Sequence, residues 1–91
     1  MDIQNALFNW LQIKNVSDAR SDDHAAKETM EFFELILTED HHLANYEVVN
    51  IDDTMYHVRY ETEGETKTQM FDRERVDKLL EDIISNPKYN Q

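Results

Sequence analysis

The stretch that decides the fold is YEVVNIDDTMYHVRYETEGETKTQMF, which covers residues 46–71. Apolar and polar residues alternate along it with a period of two, which is typical of half-buried β-strands. Turn-forming residues interrupt the alternation at Asp52-Asp53 and again at Gly64. The pattern therefore predicts an antiparallel meander of three strands, over residues 46–51, 55–61 and 65–71.

The first hairpin has a register that can be predicted, because a slip of one residue would move every side chain to the other face. One register brings apolar residues together on one face and opposite charges together on the other. Its pairs are Tyr46–Tyr60, Val48–Val58 and Glu47–Arg59.

The second hairpin is expected to turn through a three-residue loop over residues 62–64, with Gly64 in the left-handed position. This loop would place Tyr60 opposite Thr66 and Tyr56 opposite Met70. A loop shifted by one residue would instead pair Glu61 with Lys67. A two-residue loop at Glu63-Gly64 would mismatch the apolar faces, so the three-residue loop is the prediction.

A capped amphipathic helix is predicted directly after the meander, over residues 72–85. Asp72 is its expected N-cap, and Phe71 before the cap can pack on Val76 as a hydrophobic staple. Pro87 is expected to end the helix, and residues 86–91 are expected to form a loose tail. The apolar stripe of the helix is Val76, Leu79, Leu80, Ile83 and Ile84.

The N-terminal half, residues 1–45, is predicted to be helical. The first helix is expected over residues 3–14 with Asp2 as N-cap, and the second from the N-cap Ser21 to about residue 38. The fold class is therefore α+β in the order α-α-β-β-β-α, a single domain over residues 1–91. We expect the sheet to pack mainly against the helix over residues 72–85.

The composition bounds the classes of function. The chain carries 20 acidic and 9 basic residues, for a net charge of −11, and contains no cysteine. Such a surface excludes nucleic acid and anionic membranes as partners, because phosphate binding needs clustered lysine and arginine. No signal peptide or membrane-length apolar run is apparent, so the cytoplasm is the expected compartment.

Motifs for catalysis, cofactors and small-molecule substrates are missing from the sequence. A single glycine allows no phosphate-cradling loop, and no cysteine-based or serine-based nucleophile motif is present. We therefore expect no enzymatic activity and no cofactor. The residual alternative is a small enzyme or metal protein that uses His41, His42 and His57 with Glu39 and Asp40. Its histidines lack the spacing of a zinc site.

The leading functional hypothesis is a protein-binding or regulatory module that associates with itself through the first helix. Residues 3–13 contain no charged side chain, in a chain of which 32% is charged. If Phe8 and Trp10 form a dimer contact, polar substitutions at both should give monomers that stay folded. The predicted partner-binding residues are Phe8, Trp10, Phe32, Leu35, Glu28, Glu31 and Glu34.

The alternative hypothesis is an acidic inhibitor or nucleic-acid mimic that occupies a basic groove on a partner protein. Residues 21–45 hold seven acidic residues and one lysine, Lys27. Electrostatic steering then predicts an association rate that falls with salt. The acidic contact residues would be Asp22, Asp23, Glu28, Glu31, Glu34, Glu39 and Asp40.

Four segments together resemble small acidic uncharacterised proteins of Bacillus-type bacteria. They are NALFNWLQIK at residues 5–14, TMYHVRYE at 54–61, MFDRERV at 70–76 and PKYNQ at 87–91. These segments belong to predicted helices, strands and junctions, and none is a catalytic motif. The resemblance implies a bacterial, cytoplasmic origin and carries no activity with it.

Overall fold

The predicted order of elements is confirmed by a computed structural model of the chain, which describes residues 1–86. The last helix ends at Ser85, as predicted, while Pro87 and the rest of the predicted tail lie outside the described residues. A three-stranded antiparallel sheet in the order β1-β2-β3 combines with three α-helices and one π-helical turn. The elements are α1 (Ile3–Ala19), α2 (His24–Leu35), the π-helical turn (Ile36–Asp40), β1 (Leu43–Ile51), β2 (Met55–Thr62), β3 (Glu65–Asp72) and α3 (Arg73–Ser85).

Helix α1 begins where the sequence predicts but ends five residues later. Asp2 caps it by accepting a hydrogen bond of 2.7 Å from the backbone amide of Asn5. The helix continues past the predicted end because Val16 is fully buried and Lys14 forms an ion pair of 2.7 Å with Asp18. Residues 15–19, which the prediction left between the two helices, are therefore helical.

Helix α2 takes Asp23 as its N-cap, and the prediction of Ser21 is wrong. A carboxylate oxygen of Asp23 accepts a hydrogen bond of 3.0 Å from the Ala26 amide. This hydrogen bond, together with Arg20 beside the carboxylate, lowers the pKa of Asp23 below its ordinary value. An aspartate at this position satisfies an amide of the first turn and complements the helix dipole.

The C-terminal end of α2 changes to a π-helical turn, whereas the sequence predicted a regular helix to about residue 38. The amide of His41 donates to the carbonyl of Ile36 over 3.3 Å, a separation of five residues. Thr38 donates its hydroxyl to the carbonyls of Glu34 and Leu35, which competes with the regular α-helical bonds there. The turn carries Leu37 into the core, where it is 0% exposed.

The first hairpin has the predicted register. Tyr46 opposes Tyr60, Val48 opposes Val58, and Arg59 donates to Glu47 over 2.7 Å. β1 begins at Leu43, three residues earlier than predicted, because Leu43 is buried and pairs with Thr62. Its pairing with β2 is irregular between Leu43 and Asn45 and again between Val48 and Asn50.

The second hairpin differs from the prediction. It turns through two residues, Glu63 (φ 52°) and Gly64 (φ 79°), and pairs Tyr56 with Phe71 and Thr62 with Glu65. Neither the three-residue loop nor the alternative Glu61–Lys67 pair forms. A left-handed Glu63 costs about 1–2 kcal/mol, which is offset because this register places Phe71 in the core.

The core centres on α1, which contacts both α2 and α3. β3 contacts α3, but more of the buried side chains come from α1, which buries five residues whereas α3 buries only Val76. Asp72 caps α3 as predicted, by accepting from the Glu74 amide over 2.9 Å. The buried residues that form one cluster are Ala6, Leu7, Trp10, Leu11, Leu37, Leu43, Tyr56, Val58, Tyr60, Phe71 and Val76.

Candidate protein-binding face

The outward side of α2 presents an unusual surface, which we call the α2 outer face and define as Glu28, Glu31, Phe32 and Leu35. Glu28 is three, four and seven positions from the other three residues, so all four lie on the same side of the helix. The opposite side of α2 turns Ala26 into the interior. The face is therefore fixed in direction by the packing of α2 on α1.

Two large apolar side chains form the centre of the α2 outer face. Phe32 is 57% exposed and Leu35 is 56% exposed. The only ring contact of Phe32 within residues 1–86 is with its neighbour Phe33, at 5.4 Å between centroids. Exposed apolar residues that lie side by side are typical of a surface that binds another molecule.

Carboxylates border this apolar centre. Glu28 and Glu31 are both exposed, and neither forms an ion pair with any residue in the described part of the chain. The α2 outer face therefore combines a small apolar centre with uncompensated negative charge. Four of the predicted partner-binding residues come together here.

The other three predicted partner-binding residues lie elsewhere. Trp10 is 3% exposed and its ring packs edge-on against Tyr46 at 5.1 Å, so the prediction that Trp10 forms a surface contact is wrong. Phe8 is half-buried, with its ring 6.2 Å from that of Phe71 and the Arg75 guanidinium 5.4 Å above it. The charge-free segment of α1 fills the core of this protein.

Glu34 points inward from α2 and is not part of the α2 outer face. Its carboxylate accepts a hydrogen bond of 3.3 Å from the indole nitrogen of Trp10. Burial, with a further contribution from the charge of Glu34, raises the pKa of Tyr46. Glu34 therefore helps to hold the aromatic part of the core and is half-buried itself.

A second cluster joins Asp52 at the β1–β2 turn to His57 on β2. His57 Nε2 lies 2.7 Å from Asp52 Oδ2, while Asp52 Oδ1 accepts from the amides of Thr54 and Met55. The His57 bond and these two amides lower the pKa of Asp52 well below its ordinary range. The turn at Asp52 was predicted but the pair with His57 was not, although the five-residue spacing across a tight turn could have indicated it.

This cluster predicts a specific acid sensitivity. Because its pKa is lower in the folded chain than in the unfolded chain, Asp52 contributes stability above about pH 4 that is lost as pH falls further. Asp52→Asn keeps an oxygen for the two amides but removes this titration. Its melting temperature, followed by circular dichroism, should fall less between about pH 5 and about pH 2 than that of the wild type.

The control for this experiment is Asp53→Asn, which removes an exposed carboxylate from the neighbouring position. It should keep the acid sensitivity of the wild type. Equal acid sensitivity in the Asp52→Asn protein and the wild type would contradict the assigned role of Asp52.

A third cluster connects α1, β2 and α3. The hydroxyl of Tyr56 donates to Asp77, and Asn15 donates to the Tyr56 hydroxyl over 3.1 Å and to Asp77 over 3.3 Å. Arg73 adds an ion pair to Asp77 at 3.5 Å. Burial and the Asp77 hydrogen bond raise the pKa of Tyr56. No pattern in the sequence indicated this cluster, since Asn15 and Asp77 are 62 residues apart.

The histidines of the metal hypothesis are not brought together. His41 contacts the carbonyl of Met1 at 2.9 Å, His42 is exposed with a φ of 55°, and His57 pairs with Asp52. Over residues 1–86 no group of three or more histidine, aspartate or glutamate side chains is arranged to hold a metal ion. The structure therefore offers no geometry in favour of that hypothesis.

The clefts on the surface are shallow, and the residues that line them differ from one cleft to the next. One of 230 Å³ lies over the outer side of the sheet between Glu47 and Arg59, which already pair with each other. Another of 550 Å³ lies between Ile13, Ala26 and Ile83, where the three α-helices meet.

Comparison of the chain with known protein families, with curated proteins and with solved structures found no match. The resemblance to Bacillus-type proteins therefore stays a prediction. Among the helices of the described residues, none has the length and apolar character needed to cross a membrane. The geometry of the α2 outer face is thus the basis for an argument about function.

Proposed function

We propose that this protein is a non-enzymatic binding module that docks a basic partner protein through the α2 outer face. The observation that carries the proposal is the exposure of Phe32 and Leu35, at 57% and 56%, in the middle of an acidic helix. Leaving two such residues in water is unfavourable, by roughly 25 cal/mol for each Å² of apolar surface. A partner that covers them recovers that free energy.

The charge around Phe32 and Leu35 indicates the chemistry of the partner. Residues 21–45 carry a net charge of −6, and Glu28 and Glu31 border the apolar centre directly. A complementary surface has an apolar pocket for the two side chains and lysine or arginine at its rim. This arrangement fits the hypothesis of an acidic inhibitor or nucleic-acid mimic better than that of self-association through α1. A cytoplasmic setting remains part of the proposal.

The test is a double substitution at the centre of the face. Phe32→Ser with Leu35→Ser should weaken binding of the captured partner by at least about 2 kcal/mol, which is roughly 30-fold, because central apolar anchors dominate interface energetics. The partner is first captured from a cell lysate with the wild type and identified. Its affinity for each variant is then measured by calorimetry.

A matched control is available on β1, where Val49 and Ile51 are 43% and 50% exposed. The Val49→Ser, Ile51→Ser protein loses comparable apolar surface away from α2 and should bind as the wild type does. Replacing Glu28 and Glu31 with glutamine should mainly slow association and reduce its dependence on salt. A captured protein that is acidic, or one that both double variants bind equally well, would refute the proposal.

A further inference from the structure

The two edges of the sheet differ in how well they are protected. β2 lies in the middle, so β1 and β3 are the edges. β1 has two irregularities in its pairing, whereas β3 pairs with β2 without interruption from Glu65 to Asp72 and contains no proline. Bulges discourage an edge from pairing with another strand, and a regular strand lacks that protection. The sheet therefore has one protected edge and one open edge.

The two-residue turn at Glu63-Gly64 determines which backbone groups of β3 bond to β2. A turn of this kind closes on a hydrogen-bonded pair, here Thr62 with Glu65, and bonded pairs then alternate along the strands. The bond of 2.9 Å from the Arg73 amide to the Thr54 carbonyl continues the same alternation at the other end. Every second residue of β3 therefore directs its amide and carbonyl away from β2.

These outward-directed residues are Thr66, Thr68 and Met70. All three are exposed, and Met70 is 55% exposed although it is a large apolar residue. No described residue donates to or accepts from their outward backbone groups. The edge thus offers three amides and three carbonyls in a regular row.

We propose that β3 pairs in antiparallel fashion with β3 of a second copy of this chain. A two-fold axis at Thr68 places Thr66 of each copy opposite Met70 of the other, and Thr68 opposite Thr68. All the outward groups then find partners, in about six hydrogen bonds. The two sheets become one continuous sheet, with the helices of both copies on the same side of it.

The charge distribution favours a second copy at this edge. Residues 66–70 carry one lysine and no acid, whereas the rest of the chain carries a net charge of −12. The π-helical turn that follows the acidic α2 contacts β1, at the opposite edge of the sheet. Pairing through β3 therefore keeps the two acidic helices apart. Because the other edge is protected, the association closes as a two-fold dimer and does not extend into a fibre.

Sedimentation velocity of the whole protein tests the proposal first. The wild type should shift from monomer to dimer between about 10 µM and about 500 µM. Thr68→Lys places two further positive charges together at the two-fold axis and should stay monomeric over the same range. Val49→Lys puts the same charge on the β1 edge and should dimerise as the wild type does. Circular dichroism checks that both variants keep the fold.

Amide hydrogen exchange of the wild type gives a second measurement that needs no variant. The amides of Thr66, Thr68 and Met70 should exchange at least about tenfold more slowly in the dimer than in dilute monomer. The amides of Lys67 and Gln69, which already bond to β2, should change little by comparison. A strict monomer at the highest concentration, a dimer that Thr68→Lys leaves intact, or exchange at Thr68 that ignores concentration would each overturn the proposal. None of these outcomes bears on partner binding at the α2 outer face.

Discussion

Replacing Trp10 with alanine is expected to lower the free energy of unfolding by about 3–5 kcal/mol. The side chain is 3% exposed, packs against Tyr46 and donates to Glu34, so its removal leaves a cavity at the centre of the core. Small domains are stable by only about 5–15 kcal/mol in total. The variant should therefore unfold at a much lower urea concentration, measured by far-ultraviolet circular dichroism.

Phe32→Ala serves as the control for this experiment, because Phe32 is also aromatic but is mostly exposed. Its free energy of unfolding should stay within about 0.5 kcal/mol of the wild type. Because Trp10 lies in the core, the result expected from self-association through α1 is also reversed. Polar residues at both Phe8 and Trp10 should unfold the protein and should not give folded monomers. A stable, folded Trp10→Ala variant would show that α1 is not the centre of the core.

Replacing Leu35 and Leu37 with alanine, one at a time, is expected to change the free energy of unfolding by very different amounts. Leu37→Ala should lower the free energy of unfolding by about 2–5 kcal/mol, because Leu37 is 0% exposed in the core. Leu35→Ala removes the same atoms from a residue that is 56% exposed, so the change should stay within about 0.5 kcal/mol. Urea titration of the two variants side by side measures this difference.

The Leu35→Ala and Leu37→Ala variants also distinguish an effect on stability from an effect on partner binding. Leu35→Ala should remain folded yet bind the partner more weakly, since Leu35 lies at the centre of the α2 outer face. Equal destabilisation by the two substitutions would mean that the change from α2 to the π-helical turn does not direct Leu37 inward and Leu35 outward. The assignment of the α2 outer face would then fail as well.

The strand pattern carried most of the information that the sequence held about the fold. The alternation on residues 46–61 predicted the first register, because only one alignment satisfies both faces. The second register was mispredicted, because the two-residue loop at Glu63-Gly64 was rejected for mismatching the apolar faces of the strands. The structure takes that loop and buries Phe71 in the core, a contact with distant parts of the chain that the strand pattern does not display.

The candidate site was predictable in part. Phe32 and Leu35 were among the predicted partner-binding residues, and the structure leaves both exposed. Trp10 could not be assigned in the same way, because a helix without charge suits a core and an interface equally well. Its place depends on α2, α3 and the sheet closing around it. The Asn15–Tyr56–Asp77 cluster was not predicted for a similar reason, since no local sequence pattern joins residues so far apart.

The central position of α1 also bears on how the chain is made. A ribosome releases α1 before the other elements, yet this helix packs against α2, α3 and residues of the sheet that are synthesised later. Until β3 and α3 emerge, the apolar side chains of α1 have no native surface to cover them. We therefore expect this part of the nascent chain to reach its native state only after α3 has left the ribosome. During that interval, the charge-free segment of α1, residues 3–13, is the segment that molecular chaperones can recognise.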